Sequence, residues 1–249
     1  MDLNSGFFEY CMVAALVLYA MSTVLTFFRV RHFGSFLIMA GFVVNLVALI
    51  SLGYIGGDWY LFPMLDELRL IPAVMALLAY PVIRGKGRNE AMTVMGVLLL
   101  VTFIAVIVQT DPPMPSIKTK VMVASFFFLS EGVSAAFFLM SGALAFAALL
   151  VNSSVNESWN RLVLWGFVIF TLCQILGAIW AFIGWSYPFS WSTRHLSSAS
   201  IWCFYGAAIH LRYVGMNTKS KALITIVGII PVVFMVYHHQ IIELLGVLI

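Results

Sequence analysis

Residues 177–203, GAIWAFIGWSYPFSWSTRHLSSASIWC, run from an apolar helix through a short aromatic loop into a second apolar helix. Trp180, Trp185, Phe189 and Trp191 fall close together in this stretch. A bilayer interface attracts Trp and Tyr in any case, because their rings are apolar with one polar atom. Aromatic enrichment alone therefore assigns no ligand, and the meaning lies in the order of the residues and in what surrounds them.

What surrounds them is membrane-like. The chain has 249 residues, 63% of them hydrophobic and 9% charged, a composition that cannot give a soluble globule a wet surface. A spanning helix needs about 20 mostly apolar residues. Eight such runs are expected, at 7–28, 34–56, 68–83, 91–109, 122–151, 162–184, 196–213 and 222–248. The third is short and holds Pro72 and Pro81, which leaves seven spans as the alternative. The fold class is thus all-α, a polytopic membrane helical bundle formed by one integral membrane domain over 1–249. The first apolar run lacks a basic leader and carries Asp2 and Glu9, so it reads as a retained helix rather than a cleaved signal.

Lys and Arg by loop give the orientation, since loops that stay in the cytoplasm retain positive charge. Arg29, Arg31, Arg84, Lys86, Arg88, Arg161, Arg212, Lys219 and Lys221 lie on one face, and Arg69, Lys118, Lys120 and Arg194 on the other. Nine against four places both termini and the aromatic loop on the non-cytoplasmic side. The same asymmetry accounts for the net charge of +3, so no nucleic-acid partner is needed. The basic cluster at 84–88 can touch anionic membrane lipid.

The aromatic stretch resembles the tryptophan-rich heme-handling motif of the cytochrome c biogenesis proteins of the CcsA/ResC and CcmC kind, whose pattern reads roughly GAIWA, three residues, then WGxxWxWD. Gly177 to Ala181 match the approach helix, and Trp185, Ser190 and Trp191 match the loop. Ser186 stands where the pattern has Gly, Phe189 where it has Trp, and Ser192 where it has Asp. Trp202 and the stretch Ala207 to Tyr213 also fall where such a protein has a Trp and a similar helix end. The resemblance implies the fold of that family, a platform for heme b made of Trp180, Trp185, Phe189 and Trp191, and Arg194 on a heme propionate. It also implies residence in a bacterial-type inner membrane and partners among the membrane or periplasmic subunits of a cytochrome assembly or respiratory system.

Axial donors are the difficulty. The resemblance expects a His in the second helix, where Asn45 stands, and another in the outer part of the fifth, where Phe126, Phe127, Phe128 and Glu131 stand. His195 adjoins the aromatic loop and reads either as an iron ligand or as a plain loop residue. His238 and His239 lie in the last apolar run and read as iron ligands or as packing contacts. Successive helical residues point about 100° apart, so at most one of those two would meet the same iron. Intramembrane ionisable groups need partners, and Glu131 is expected to pair with His238 or His239. His32 and His210 read as interfacial polar groups. Cys11, Cys173 and Cys203 form no CxxC pair and read as structural thiols.

Three classes follow. The first is a cytochrome c assembly protein that binds or presents heme at the aromatic loop on the outer face. The second is a heme-free descendant of that fold serving as a membrane subunit of a larger complex. The third, a transporter or channel, lacks the paired broken helices and charge rings such proteins use. Lacking a hydrolytic triad, zinc spacing, phosphate loop or paired outer carboxylates, the chain is expected not to be an enzyme.

Overall fold

The computed structural model describes residues 3–55, 67–85, 87–108, 122–151, 158–211 and 213–237. Among the described residues eight helices follow one another: α1 (Leu3–Phe27), α2 (Arg31–Ile55), α3 (Glu67–Gly85), α4 (Arg88–Ile107), α5 (Met122–Val151), α6 (Trp159–Trp185), α7 (Thr193–His210) and α8 (Thr218–Val227). Among the described residues there is no strand. Seven of the helical segments are long and apolar enough to cross a membrane, the last running from Thr218 to Tyr237. The chain is an integral membrane protein.

α7 is the segment outside those seven. It begins at Thr193, three residues ahead of the expected 196, and its polar first half, Arg194, His195, Ser197, Ser198 and Ser200, lowers its hydropathy. α3 is continuous through Pro72 and Pro81. A membrane helix tolerates the missing N–H groups because neighbouring packing and local adjustment absorb them. The expected eighth span reaches 248, and its part beyond Tyr237 lies outside the described residues.

The helices alternate in direction. Arg69 at the start of α3 lies 4.3 Å above the ring of Phe8 at the start of α1, and Arg88 at the start of α4 lies 5.2 Å above Phe27 at the end of α1. These two cation–π contacts mark opposite ends of the bundle. The α1–α2 turn is short, with Arg29 at a left-handed φ of 65°, and Glu90 accepts the Gly87 N–H at 3.2 Å where α4 begins.

The core centres on α5, which packs against α3, α4, α6 and α8. Its inner faces are small: Ser134, Ala135, Ala136, Ser141, Ala143, Ala145 and Ala147 are buried. Small residues let membrane helices approach closely, and van der Waals packing then supplies the cohesion that water cannot supply in lipid. Ser130, Ser134 and Ser141 return their hydroxyls to carbonyls three or four residues back, so they bring no unmet polarity. Phe138 stacks on Tyr205 at 3.7 Å and 9°, tying α7 to α5. Trp202 Nε1 donates to Thr171 Oγ1 at 3.0 Å, tying α7 to α6.

Gly142 marks the tightest approach of α5 to the last span, because a Cβ there would sit 1.9 Å from Ile229 Cδ1 and 2.5 Å from its Cγ1. Gly142→Ala is expected to lower stability by about 1–3 kcal/mol through overpacking. Gly142→Ala combined with Ile229→Ala should lose less than the two single variants summed. Thermal unfolding in one detergent measures both.

Candidate functional site

The C-terminal end of α6, the loop 186–192 and the first turn of α7 surround a cavity of about 570 Å³. α6 stops at Ser186, which adopts a left-handed φ of 63° while its N–H donates to Phe182 O at 2.8 Å. A side chain at left-handed φ is strained, which is the physical reason for the Gly that the resembling pattern carries there. α7 starts where the Ser192 side chain caps the His195 N–H at 3.5 Å, a weak member of the usual Ser N-cap arrangement.

Two aromatic groups stand at the cavity, lining it with Phe127, Trp180, Trp185 and Phe189. In one, Trp180 meets Phe127 at 5.6 Å, Phe128 at 5.5 Å and Trp185 at 5.5 Å. In the other, Phe189 lies 5.5 Å from the His195 ring and 5.5 Å from Trp191. Of the aromatic residues singled out in the sequence, Trp180, Trp185 and Phe189 line the cavity, as do Arg194 and His195. Trp191 sits beyond its rim, 83% exposed and edge-on to Phe189. Gly177 has its own reason for being glycine: a Cβ would come within 2.8 Å of the Phe127 ring, the wall contributed by α5.

His195 is held by its Nδ1, which lies 2.7 Å from Ser190 Oγ and 3.0 Å from Ser192 Oγ. Burial holds its pKa below the usual imidazole value, and the neighbouring Arg194 charge pushes the same way. A neutral imidazole is the form that ligates a metal. Arg194 places its guanidinium 5.5 Å above the Phe127 ring and 5.3 Å above Phe128. Its Nη2 donates to Glu131 Oε2 at 2.5 Å. Glu131 thus meets Arg194 of α7, a partner the sequence did not suggest; its expected pairing with His238 or His239 falls on residues outside the described ones.

In the sequence Phe127 reads only as a substitute for an expected histidine, and Glu131 as a buried ion in need of a partner; neither the cavity wall nor the pairing with Arg194 is evident there. An isolated charge inside FFFLSEGVSAAFF was the one signal that a distant cation had to be found for it. Asn45, standing where the resemblance expects another histidine, is fully buried with the Tyr19 hydroxyl as its polar neighbour. No group of three or more His, Cys, Asp or Glu side chains gathers among the described residues. A bare metal ion has no cage there, whereas a macrocycle bringing its own nitrogens needs only axial donors.

This is a helical membrane protein whose polar and aromatic site lies at one end of α6 and α7. No family model matches the chain. It is 32% identical over 88 residues to cytochrome c biogenesis protein CcsA of Prochlorococcus marinus (strain MIT 9303), covering 33% of this chain and 28% of that protein. CcsA of strain AS9601 is 36% identical over 73 residues, 29% of this chain and 24% of that protein. CcsA of Synechococcus sp. (strain CC9902) is 30% identical over 82 residues. The aligned stretch is thus under a third of the length of these relatives. A solved structure, cytochrome c heme lyase CcmF, superposes with a TM-score of 0.78 at 12% identity, over 95% of this chain and 47% of that one.

The resemblance to the cytochrome c biogenesis proteins is borne out by these relatives, and the all-α membrane fold by the superposition. The expectation that the chain is not an enzyme is corrected: the protein sharing its fold is named a heme lyase, an enzyme. That expectation rested on missing triads, zinc spacings, phosphate loops and carboxylate pairs, which report on other reaction classes and do not decide against a lyase.

Two outcomes follow from this geometry. Ser186→Gly should raise stability by about 1 kcal/mol by relieving the left-handed strain, and Ser186→Val should lower it, both read from thermal midpoints. The His195 imidazole should titrate below about 6.5 by NMR, and Arg194→Gln should move it upward. The folded chain then binds fewer protons at His195 than the unfolded chain between the two pKa values, so this residue's contribution makes stability rise with pH there.

Proposed function

We propose that the chain serves cytochrome c assembly by binding or presenting heme b in the cavity between α6 and α7, on the outer face of a bacterial-type inner membrane. The observation that carries this reading is the cavity itself, with aromatic walls, an oriented imidazole and a guanidinium in one place. Its volume of about 570 Å³ falls within the roughly 300–1,000 Å³ of small-molecule and cofactor sites. Trp180, Trp185 and Phe189 would lie against the macrocycle, and Trp191 would extend the aromatic edge at the rim. Arg194 would meet a propionate. His195 would offer Nε2 to the iron, with Ser190 and Ser192 holding the other ring nitrogen, the orienting arrangement that metal-binding histidines commonly use. His238 and His239 stay as candidates for a further axial position. When bound, heme supplies the iron centre and the carboxylates. The protein's part is to hold it flat, orient the imidazole and shield it from water.

The nine-to-four distribution of Lys and Arg supports the outward placement of both termini and of the site. Other membrane or periplasmic subunits of the assembly system are the expected partners, alongside membrane lipid. The buried Asn45 favours a second reading, in which heme binding has been lost and the chain is a membrane subunit of a respiratory or assembly complex.

Absorbance spectroscopy with a pyridine hemochrome assay tests the proposal. Purified protein, or protein reconstituted with hemin, should show a Soret band from non-covalent heme b, and His195→Ala should diminish or shift it. A preparation that stays colourless after reconstitution and copurifies with other subunits would overturn heme handling in favour of the second reading.

A further inference from the structure

The ion pair behind the cavity wall is asymmetric. Glu131 is 1% exposed, whereas Arg194 is 41% exposed and lines the cavity. Glu131 itself does not line it, and its Oε1 has no hydrogen-bond partner among the described residues. Removing the partner of a buried charge is strongly unfavourable, so a ligand anion does not gain by drawing Arg194 away from Glu131. The guanidinium has five N–H donors in a fixed fork, and its bond to Glu131 is made from Nη2. Its Cζ lies over the rings of Phe127 and Phe128, 5.5 Å and 5.3 Å from their centroids. Held from behind by the carboxylate and from beneath by two rings, it stands fixed in the cavity wall, where a long Arg side chain would otherwise sample many rotamers.

Resting on the heme reading above, we propose that Glu131 is a positioning residue: it fixes Arg194 in the cavity wall so that the site selects a flat apolar ligand bearing a carboxylate over the same ligand without one. Glu131 touches no ligand and acts through Arg194. A guanidinium fixed in advance loses less freedom when it meets the anion, and a charge-assisted hydrogen bond in a partly dry site is among the stronger contacts available.

Absorbance titration of the full chain in one detergent, with iron protoporphyrin IX and with its dimethyl ester, reads this selectivity. The wild-type protein should favour the diacid by about tenfold or more. Glu131→Ala should bring that ratio close to one by weakening the diacid while leaving the diester unchanged, and Arg194→Ala should do the same. Glu131→Gln, which keeps an acceptor oxygen without the charge, should fall between. Should Glu131→Ala fail to fold, Glu131→Gln decides alone. A ratio that rises in Glu131→Gln would show that Glu131 competes for the guanidinium, and would overturn the proposal. Equal loss of both ligands in Glu131→Ala, marking a structural role, would overturn it, as would a wild-type ratio near one. In those cases heme binding itself still stands, whereas a wild-type protein that takes up neither porphyrin overturns both.

Discussion

A carboxylate buried in the middle of an apolar helix has to meet a counter-charge inside the protein, because lipid offers none. Glu131 meets Arg194, 63 residues later in the chain, and much of the site's arrangement depends on that contact. It draws the first turn of α7 toward α5, brings the guanidinium over Phe127 and Phe128, and sets a positive charge beside His195. Phe138 and Tyr205 make a second tie between the same helices deeper in the bundle. α7, with its polar first half, is thereby anchored where apolar burial alone would hold it weakly.

Much of this was legible in the chain. Apolar length gave the helices to within a few residues, since the bilayer allows few other solutions. The aromatic loop announced itself through the spacing of Trp180, Trp185, Phe189 and Trp191, and its neighbours Arg194 and His195 entered the site with it. Contacts between distant segments were not legible. Glu131 was visibly in need of a partner, but choosing Arg194 over His238 or His239 required knowing which face of α5 turns toward the loop. Nor could the sequence say that Trp191 stands at the rim while Phe127 of α5 forms the wall. Both depend on the rotation of one helix against another, which a uniformly apolar segment with no polar stripe does not encode.

The superposition on a chain about twice as long shows a helical core that accommodates larger proteins, and a shared fold leaves the chemistry to be read from the site. Here the site departs from the resembling pattern in a consistent way. Ser186 replaces a Gly and is held in a strained turn. Ser192 replaces an Asp and becomes both the cap of α7 and a neighbour of the imidazole. Asn45 stands buried in the core beside the Tyr19 hydroxyl. The charge and imidazole that remain are gathered at the loop.

The serines beside His195 carry a consequence for its tautomer. Ser190 Oγ donates to Ser192 Oγ at 3.1 Å, and both oxygens lie within hydrogen-bond reach of His195 Nδ1. With the ring proton on Nδ1, shared with these two oxygens at 2.7 Å and 3.0 Å, the lone pair falls on Nε2 and the imidazole is an electron donor. Reversing the hydroxyl chain would turn the same ring into a proton donor toward the cavity. Two small alcohols thus decide whether the pocket offers a Lewis base or an acid.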